Sequence, residues 1–105
     1  MDAGDSPMLS PDAARLVHRL KLRQLQLIIA VGEQGSILNA ARLLNVSQPA
    51  ATKLIRDLEL DLQVELFERT NRGVVPTVYG QTLLRHGKLI LSQVTTAAEE
   101  LADLS

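Results

Sequence analysis

One stretch of the sequence decides the fold: residues 36–62, SILNAARLLNVSQPAATKLIRDLELDL. Within it, apolar residues recur at helical spacing in two runs, Ser36–Leu44 and Ser47–Leu62. Each run opens with a serine that can cap a helix, and Pro49 lies in the first turn of the second run, where its missing N–H costs little. Asn45 tolerates the left-handed backbone that ends a helix. The stretch therefore predicts two helices joined by a tight turn.

The two predicted helices contain the residue types that a helix-turn-helix needs. Ala41 is small enough for a close helix crossing, and the apolar Val46 and Leu54 can hold that crossing. The second helix leaves small or polar side chains exposed near its N-terminal end, the end that can enter a DNA major groove. Gln can pair with adenine there, the Thr methyl group can touch a thymine methyl group, and Lys can reach guanine acceptors. These side chains are Gln48, Pro49, Thr52, Lys53 and Arg56.

The charges are segregated along the chain, although the net charge is only −1. Residues 15–56 contain seven Lys or Arg and one acid, residues 57–68 contain five acids and no base, and residues 69–88 contain four bases and no acid. A fold that brings the two basic segments together would present one positive face, as a DNA-binding protein does. Ordinary surface charge is the alternative interpretation of this pattern.

Several classes of protein are excluded or disfavoured by composition. The absence of cysteine excludes disulfides and thiolate zinc sites, and no apolar run reaches the roughly 20 residues that span a bilayer. We expect no enzyme activity, since neither a glycine-rich phosphate loop nor a nucleophile–base set is present. The two histidines, His18 and His86, are isolated, so no metal and no cofactor is expected. Residues 1–17, which lack the basic start of a signal peptide, are expected to be a flexible leader.

Another helix and a hairpin flank the central stretch. A helix is predicted over Lys21–Gln34, stopped by Gly35, with a weaker helical stretch over Asp12–Leu20 for which Asp12 is the expected cap. Further on, Glu65–Arg69 is strand-like.

The strand-like segment leads into a turn signal at Asn71-Arg72-Gly73, and two valines return to Pro76, which ends the second strand at an edge. Arg69 is expected to pair with a neighbouring acid or to support the hairpin rather than to read a base.

A last helix is predicted from Thr77, a good N-cap, to about Leu104, a length of about 40 Å. Its apolar residues form a heptad stripe at positions a, d and e. A helix of this length extends past so small a domain, and the excess stripe must find a partner or stay exposed. We therefore predict a homodimer through this helix; a stripe that only completes the chain's own core is the alternative. The residues predicted at the dimer interface are Leu83, Leu84, Ile90, Leu91, Val94 and Leu101.

Three runs in one register resemble the DNA-binding segment of LysR-type transcriptional regulators: AARLLNVSQPAATKLIRDLELDL (40–62), ELFERTNRG (65–73) and PTVYG (76–80). They match the family's Ala-Ala pair, its Ser-Gln-Pro-Ala helix start, its Leu-Glu pair, its Leu-Phe-x-Arg strand and its Thr-x-x-Gly entry into the last helix. The chain departs from the pattern in two places. Gln63 stands where the family usually has Gly, and Thr52-Lys53 replaces Ser-Arg, which alters the expected base preference because Lys and Arg are not interchangeable at bidentate sites.

The resemblance implies a mainly α fold: a winged helix-turn-helix of three helices and a short β-hairpin wing, followed by a long dimerisation helix. The implied organisation is a flexible leader (1–17), the winged helix-turn-helix domain (18–77) and a linker or dimerisation helix (78–105). In the family an effector-binding domain follows and takes the small-molecule effector. That domain is expected to be absent from this chain.

The resemblance also implies the function, which is sequence-specific binding of double-stranded operator or promoter DNA by a bacterial regulator in the cytoplasm, at the nucleoid. The protein would bind an interrupted inverted repeat as a dimer, with a tetramer as the alternative for a full-length protein. Helix 47–62 would lie in the major groove, and the wing, residues 70–74, would meet phosphate or the minor groove. The residues implied in DNA contact are Ser47 (phosphate), Gln48, Pro49, Thr52, Lys53 and Arg56 on the helix, and Arg72 on the wing. Apart from the resemblance, Arg23 and Arg42 are candidates for phosphate contact, and solvated surface charge is the alternative for both.

Overall fold

The computed structural model describes residues 9–105, which form five helices and one two-stranded antiparallel sheet. This arrangement confirms the predicted fold class, a helix-turn-helix with a hairpin wing and a long last helix. The elements in chain order are α1 (Pro11–Arg19), α2 (Leu22–Gln34), α3 (Ile37–Leu43), α4 (Gln48–Leu62), β1 (Phe67–Thr70), β2 (Gly73–Pro76) and α5 (Val78–Leu104).

Helix α1 overlaps the predicted leader. Residues 11–19 are helical and residues 1–8 lie outside the described range, so a flexible leader over residues 1–17 stays a prediction. The weaker helical stretch expected from Asp12 is confirmed, with a different cap. The hydroxyl oxygen of Ser10 accepts a hydrogen bond from the Ala13 N–H at 3.1 Å, so Ser10 rather than Asp12 satisfies the free N–H groups of the first turn.

Left-handed residues mark the helix ends around the central stretch. Gly35 ends α2 with φ 63°, and Asn45 lies in the turn between α3 and α4 with φ 60°. Gln63 ends α4 with φ 58°. Gln63 thus takes the left-handed conformation that the family usually gives to Gly, at a cost of about 1–2 kcal/mol for a side chain with a Cβ.

The core lies where α2, α3 and α4 meet, and the base of the wing closes it. On α4 the apolar residues Ala51, Ile55 and Leu58 are buried, so they form the inner side of the helix. Each large aliphatic side chain in such a position stabilises the fold by about 1.5–3 kcal/mol. The buried cluster comprises Leu27, Ile28, Val31, Ile37, Ala40, Ala41, Ala51, Ile55, Leu58, Leu66 and Val74.

The wing begins later than the sequence predicts. The strand expected over Glu65–Arg69 starts at Phe67, because Leu66 turns into the core and is only 1% exposed. The carboxylate of Glu59 accepts hydrogen bonds from the Leu66 N–H at 2.7 Å and the Phe67 N–H at 3.4 Å. These two N–H groups are therefore bound to α4, and strand pairing with β2 begins at Phe67, opposite Pro76.

The two wing strands pair in register from Phe67 opposite Pro76 to Thr70 opposite Gly73. Two backbone hydrogen bonds fix this hairpin, one near its tip and one at its base. The Val74 N–H donates to the carbonyl of Gly35 at the end of α2 (3.0 Å), and the Thr77 N–H donates to the carbonyl of Leu66 (2.9 Å). The wing therefore has a defined orientation relative to α4.

Helix α5 has two parts with different surroundings. In the first part, a Cβ added to Gly87 would lie 2.8 Å from the Leu25 side chain, which shows how closely α5 approaches α2. Leu83 and Leu84 are half-buried against the core of their own domain, so this part of the stripe packs within the chain, and their place in a dimer interface stays a prediction. From Ser92 onward every residue is exposed.

Candidate nucleic-acid interface

The outward side of α4 gathers the side chains that the sequence assigns to DNA. Gln48, Pro49, Lys53 and Arg56 are exposed, and Thr52 is half-buried. With Asp57 and Leu60 they line one shallow concavity along the helix. The structure therefore brings together the five predicted major-groove residues; which of them contact bases stays a prediction.

The N-terminus of α4 is held by Ser47. Its hydroxyl oxygen accepts a hydrogen bond from the Ala50 N–H at 3.2 Å, and its backbone carbonyl accepts from Ala51. Pro49 has no N–H, and the exposed end of the helix carries a partial positive charge that favours an anion. The exposed Ser47 hydroxyl keeps its hydrogen free to donate, as the predicted phosphate contact requires.

Lys53 forms an ion pair that the sequence analysis did not identify. Its ammonium group lies 2.6 Å from the carboxylate of Asp57, one helical turn further on. The hydrogen bond that Lys53 donates to the Asp57 carboxylate, and then the charge of that carboxylate, raise the pKa of Lys53 above the ordinary lysine value. The spacing of four residues on a helix was a sufficient signal for this pair.

Arg23 and Arg42 are both exposed, but they have different surroundings. The guanidinium of Arg23, on α2, donates to the carbonyl of Leu44 at 3.3 Å. It thereby supplies a partner to the free carbonyl end of α3, next to the turn that leads into α4. Arg42 lies in the last turn of α3. Phosphate contact stays a prediction for both, and Arg23 has in addition a positioning role in the turn.

The wing tip presents Arg72 to solvent. The Thr70 hydroxyl accepts from the Arg72 N–H at 3.2 Å and donates to the Gly73 carbonyl at 3.4 Å, so the turn is braced from within. Gly73 has φ 132°, which a residue with a side chain rarely adopts. The backbone that carries Arg72 is thus fixed by neighbours, while its side chain stays exposed.

Of the two roles predicted for Arg69, pairing with an acid is not seen among the described residues, and support of the hairpin stays a prediction. Among the described residues Arg69 forms no ion pair with Glu68 or Asp61; instead it lines a small groove between the wing and α4, beside Thr52 and Arg56. Alternation along β1 places Arg69 on the same side as Phe67, toward α4. The alternation of side chains along a strand was the signal in the sequence that could have placed Arg69 on this side.

Neither a metal-binding cluster nor a membrane-spanning helix is present among residues 9–105. No group of three or more His, Cys, Asp or Glu side chains is placed to hold a metal ion, and His18 and His86 are both exposed. No helix in that range combines the length and apolar character needed to cross a membrane.

Comparison with known proteins places this geometry in a family. The family model for the bacterial regulatory helix-turn-helix proteins of the lysR family matches residues 22–81. The HTH-type transcriptional regulator GbpR of Azospirillum brasilense is 54% identical over 89 residues, which cover 85% of this chain and 26% of that protein. The chain thus spans about a quarter of the length of the curated relatives that it matches.

Solved structures agree with this assignment. The structure of the CbnR_DBD–DNA complex superposes with a TM-score of 0.73 at 36% identity, over 81% of this chain and 98% of that one. The BenM_DBD complex with benA site 1 DNA superposes with a TM-score of 0.76 at 30% identity, over 82% of this chain and all of that one (100%). The chain belongs to the LysR family of bacterial regulatory helix-turn-helix proteins.

Proposed function

We propose that this chain binds double-stranded DNA in a sequence-specific way, as the DNA-binding part of a LysR-type transcriptional regulator. The observation that carries the proposal is the two-sided character of α4. Its inner side is core, whereas its outer side near the N-terminus presents Gln48, Lys53 and Arg56 to solvent. Two structural neighbours, CbnR_DBD and BenM_DBD, are DNA complexes by their own description, which supports the same role here.

In this proposal α4 enters the major groove, whose width of about 12 Å admits a helix. Gln48 would pair with adenine, the methyl group of Thr52 would touch a thymine methyl group, and Lys53 would donate to guanine acceptors. Arg56, further along the same side, would reach guanine or the backbone. Ser47 at the helix start would hold a phosphate and so fix the depth of insertion.

The wing would supply contacts beside the major groove. Arg72 at the exposed tip meets phosphate or the minor groove, which adds affinity without sequence choice. Arg69 lies between the wing and α4, where its guanidinium can follow the backbone that borders the groove occupied by α4. Arg23 and Arg42 would add phosphate contacts near the turn.

The exposed apolar residues of α5 support the proposed homodimer. Ile90, Val94 and Leu101 are 42%, 45% and 65% exposed, and a shallow apolar surface formed by Leu89, Ile90, Gln93, Val94 and Ala97 lies along the helix. Burying such side chains between two copies of the chain contributes about 25 cal/mol per Å² of apolar surface. A two-fold pair of α4 helices would then address two half-sites of an interrupted inverted repeat.

In the whole regulator, the chain after α5 would lead to an effector-binding domain, and a small-molecule effector would act there. The protein would work in the bacterial cytoplasm at the nucleoid, as a dimer or a tetramer, and without catalytic activity of its own.

Duplex selection followed by a salt titration tests this function. The chain should enrich one sequence class from a pool of random duplexes, and its affinity for that duplex should fall steeply with salt. Each phosphate contact contributes about −0.9 to the slope of log K against log salt concentration. A slope near zero together with no enriched sequence would contradict DNA binding and leave a helical dimerisation module as the function.

A further inference from the structure

An acidic side chain lies within the side of α4 that is proposed to face DNA. Asp57 lines the same concavity as Gln48, Thr52 and Arg56, and of the described residues that line it, Asp57 is the acidic one. Its carboxylate holds the ammonium group of Lys53 at 2.6 Å, and the two side chains are 52% and 75% exposed, respectively. A negative charge in this place opposes the approach of a phosphate.

Stability does not account for the pair. Exposed ion pairs contribute little to folding, and the order base-then-acid along a helix is the less favourable of the two. The other acids of α4 lie elsewhere: Glu59 is bound to the backbone at the start of the wing, and Asp61 is absent from the concavity. Asp57 is therefore the carboxylate of α4 that controls a DNA-facing cation.

The ion pair permits a contact of Lys53 with a guanine base but opposes a contact with a phosphate. A lysine ammonium has three N–H donors, so Lys53 can keep its bond to Asp57 and still donate to neutral guanine acceptors. A phosphate that approached Lys53 would bring a full negative charge close to the Asp57 carboxylate, and the repulsion would offset the contact.

We propose that Asp57 is a specificity-determining residue, which holds Lys53 in an ion pair that accepts a base contact and disfavours a phosphate contact. The inference rests on the proposed DNA binding and adds to it a device against non-specific binding. Among the described residues, a base–acid pair on this side of α4 is recorded only for these two.

The test compares wild type with Asp57→Asn on a short duplex of scrambled sequence. Asparagine releases Lys53 to phosphate, so the slope of log K against log salt should steepen by about 0.9. Lowering salt from about 200 mM to about 50 mM should then strengthen binding about 3.5-fold more for the variant than for wild type. Affinity for the selected duplex should change by less, so discrimination between the two duplexes falls.

Two controls separate this effect from a simple change in net charge. Asp61→Asn removes the same charge one turn further along α4, from a residue that has no ion pair within residues 9–105, and it should leave the slope near the wild-type value. In a Lys53→Met background, Asp57→Asn should no longer steepen the slope, because the cation that it releases is gone. Circular dichroism melts verify that all variants are folded.

An unchanged slope for Asp57→Asn overturns the inference, as does an equal effect of Asp61→Asn or a full effect in the Lys53→Met background. If wild type itself shows no salt dependence and selects no duplex, the proposed function fails and the inference fails with it. If wild type selects a duplex and shows the salt dependence, but Asp57→Asn leaves the slope unchanged, only the inference fails and the proposed function stands.

Discussion

Replacing Gly80 by alanine should destabilise the domain, although alanine is the better helix former. Gly80 lies in the first turn of α5, where its N–H donates to the Thr77 hydroxyl at 3.2 Å. An added Cβ would collide with the carbonyl oxygen of Leu66. That carbonyl cannot move away easily, because it already accepts the Thr77 N–H at 2.9 Å and Leu66 is buried in the core. The clash must therefore displace α5 from the base of the wing.

Gly87 supplies the matched control, seven residues further along the same helix. A Cβ there would lie 2.8 Å from Cδ1 and 3.1 Å from Cγ of Leu25, both atoms of a flexible side chain. Glycine-to-alanine exchange in a helix contributes about 1 kcal/mol of stability, and overpacking costs about 1–3 kcal/mol or more. Gly87→Ala should thus stay within about 1 kcal/mol of wild type, while Gly80→Ala, against fixed backbone, should lose about 2 kcal/mol or more.

Urea unfolding followed by circular dichroism measures both free energies of unfolding, and heat melts provide a second readout. A loss of about 2 kcal/mol corresponds to a melting temperature lower by roughly 8–16 °C in a domain of this size. Equal stability of Gly80→Ala and wild type would refute the packing of α5 on the wing base. A larger loss of unfolding free energy for Gly87→Ala than for Gly80→Ala would also refute this packing.

Three other substitutions, two of them with a control variant, test the wing and the exposed part of α5. Glu59→Ala should lower the free energy of unfolding by about 2 kcal/mol, since hydrogen bonds to charged groups contribute about 1.5–3 kcal/mol. Glu59→Gln keeps an oxygen acceptor and should lose less stability. Equal losses for the two variants in urea unfolding would contradict this. Arg72→Ala should weaken binding to all duplexes alike and flatten the salt slope by about one unit, whereas a loss confined to one sequence would make Arg72 a base reader. Ile90→Asp should give monomers in analytical ultracentrifugation while Ser92→Asp, on the opposite side of α5, stays dimeric; a dimeric Ile90→Asp would place the interface elsewhere.

Local signals in the sequence were enough for the helices and for the orientation of α4. Gly35 and Asn45 end their elements as their left-handed preference predicts, and the period of Ala51, Ile55 and Leu58 identifies the buried side. These features depend on neighbours along the chain, which is why spacing alone could identify them.

Features that depend on long-range contacts were less predictable. Only the folded chain shows that Leu66 enters the core, which delays β1, and that Leu83 and Leu84 lie within reach of α2 and the core rather than at a free stripe. The contact of Arg23 with the Leu44 carbonyl joins residues 21 positions apart, so no periodicity signals it. The Lys53–Asp57 pair, in contrast, was within reach of sequence reasoning.

The most direct test of the central claim, that the outer side of α4 reads bases, is the affinity of Gln48→Ala and Thr52→Ala for the selected and the scrambled duplex at one salt concentration. Thr96→Ala is the control, because Thr96 is exposed on α5, outside the candidate DNA interface. Each base-reading variant should lose about 1–3 kcal/mol on the selected duplex and much less on the scrambled one, with an unchanged melting temperature. Equal losses on both duplexes would show that these side chains only contact the DNA backbone, and would contradict the account.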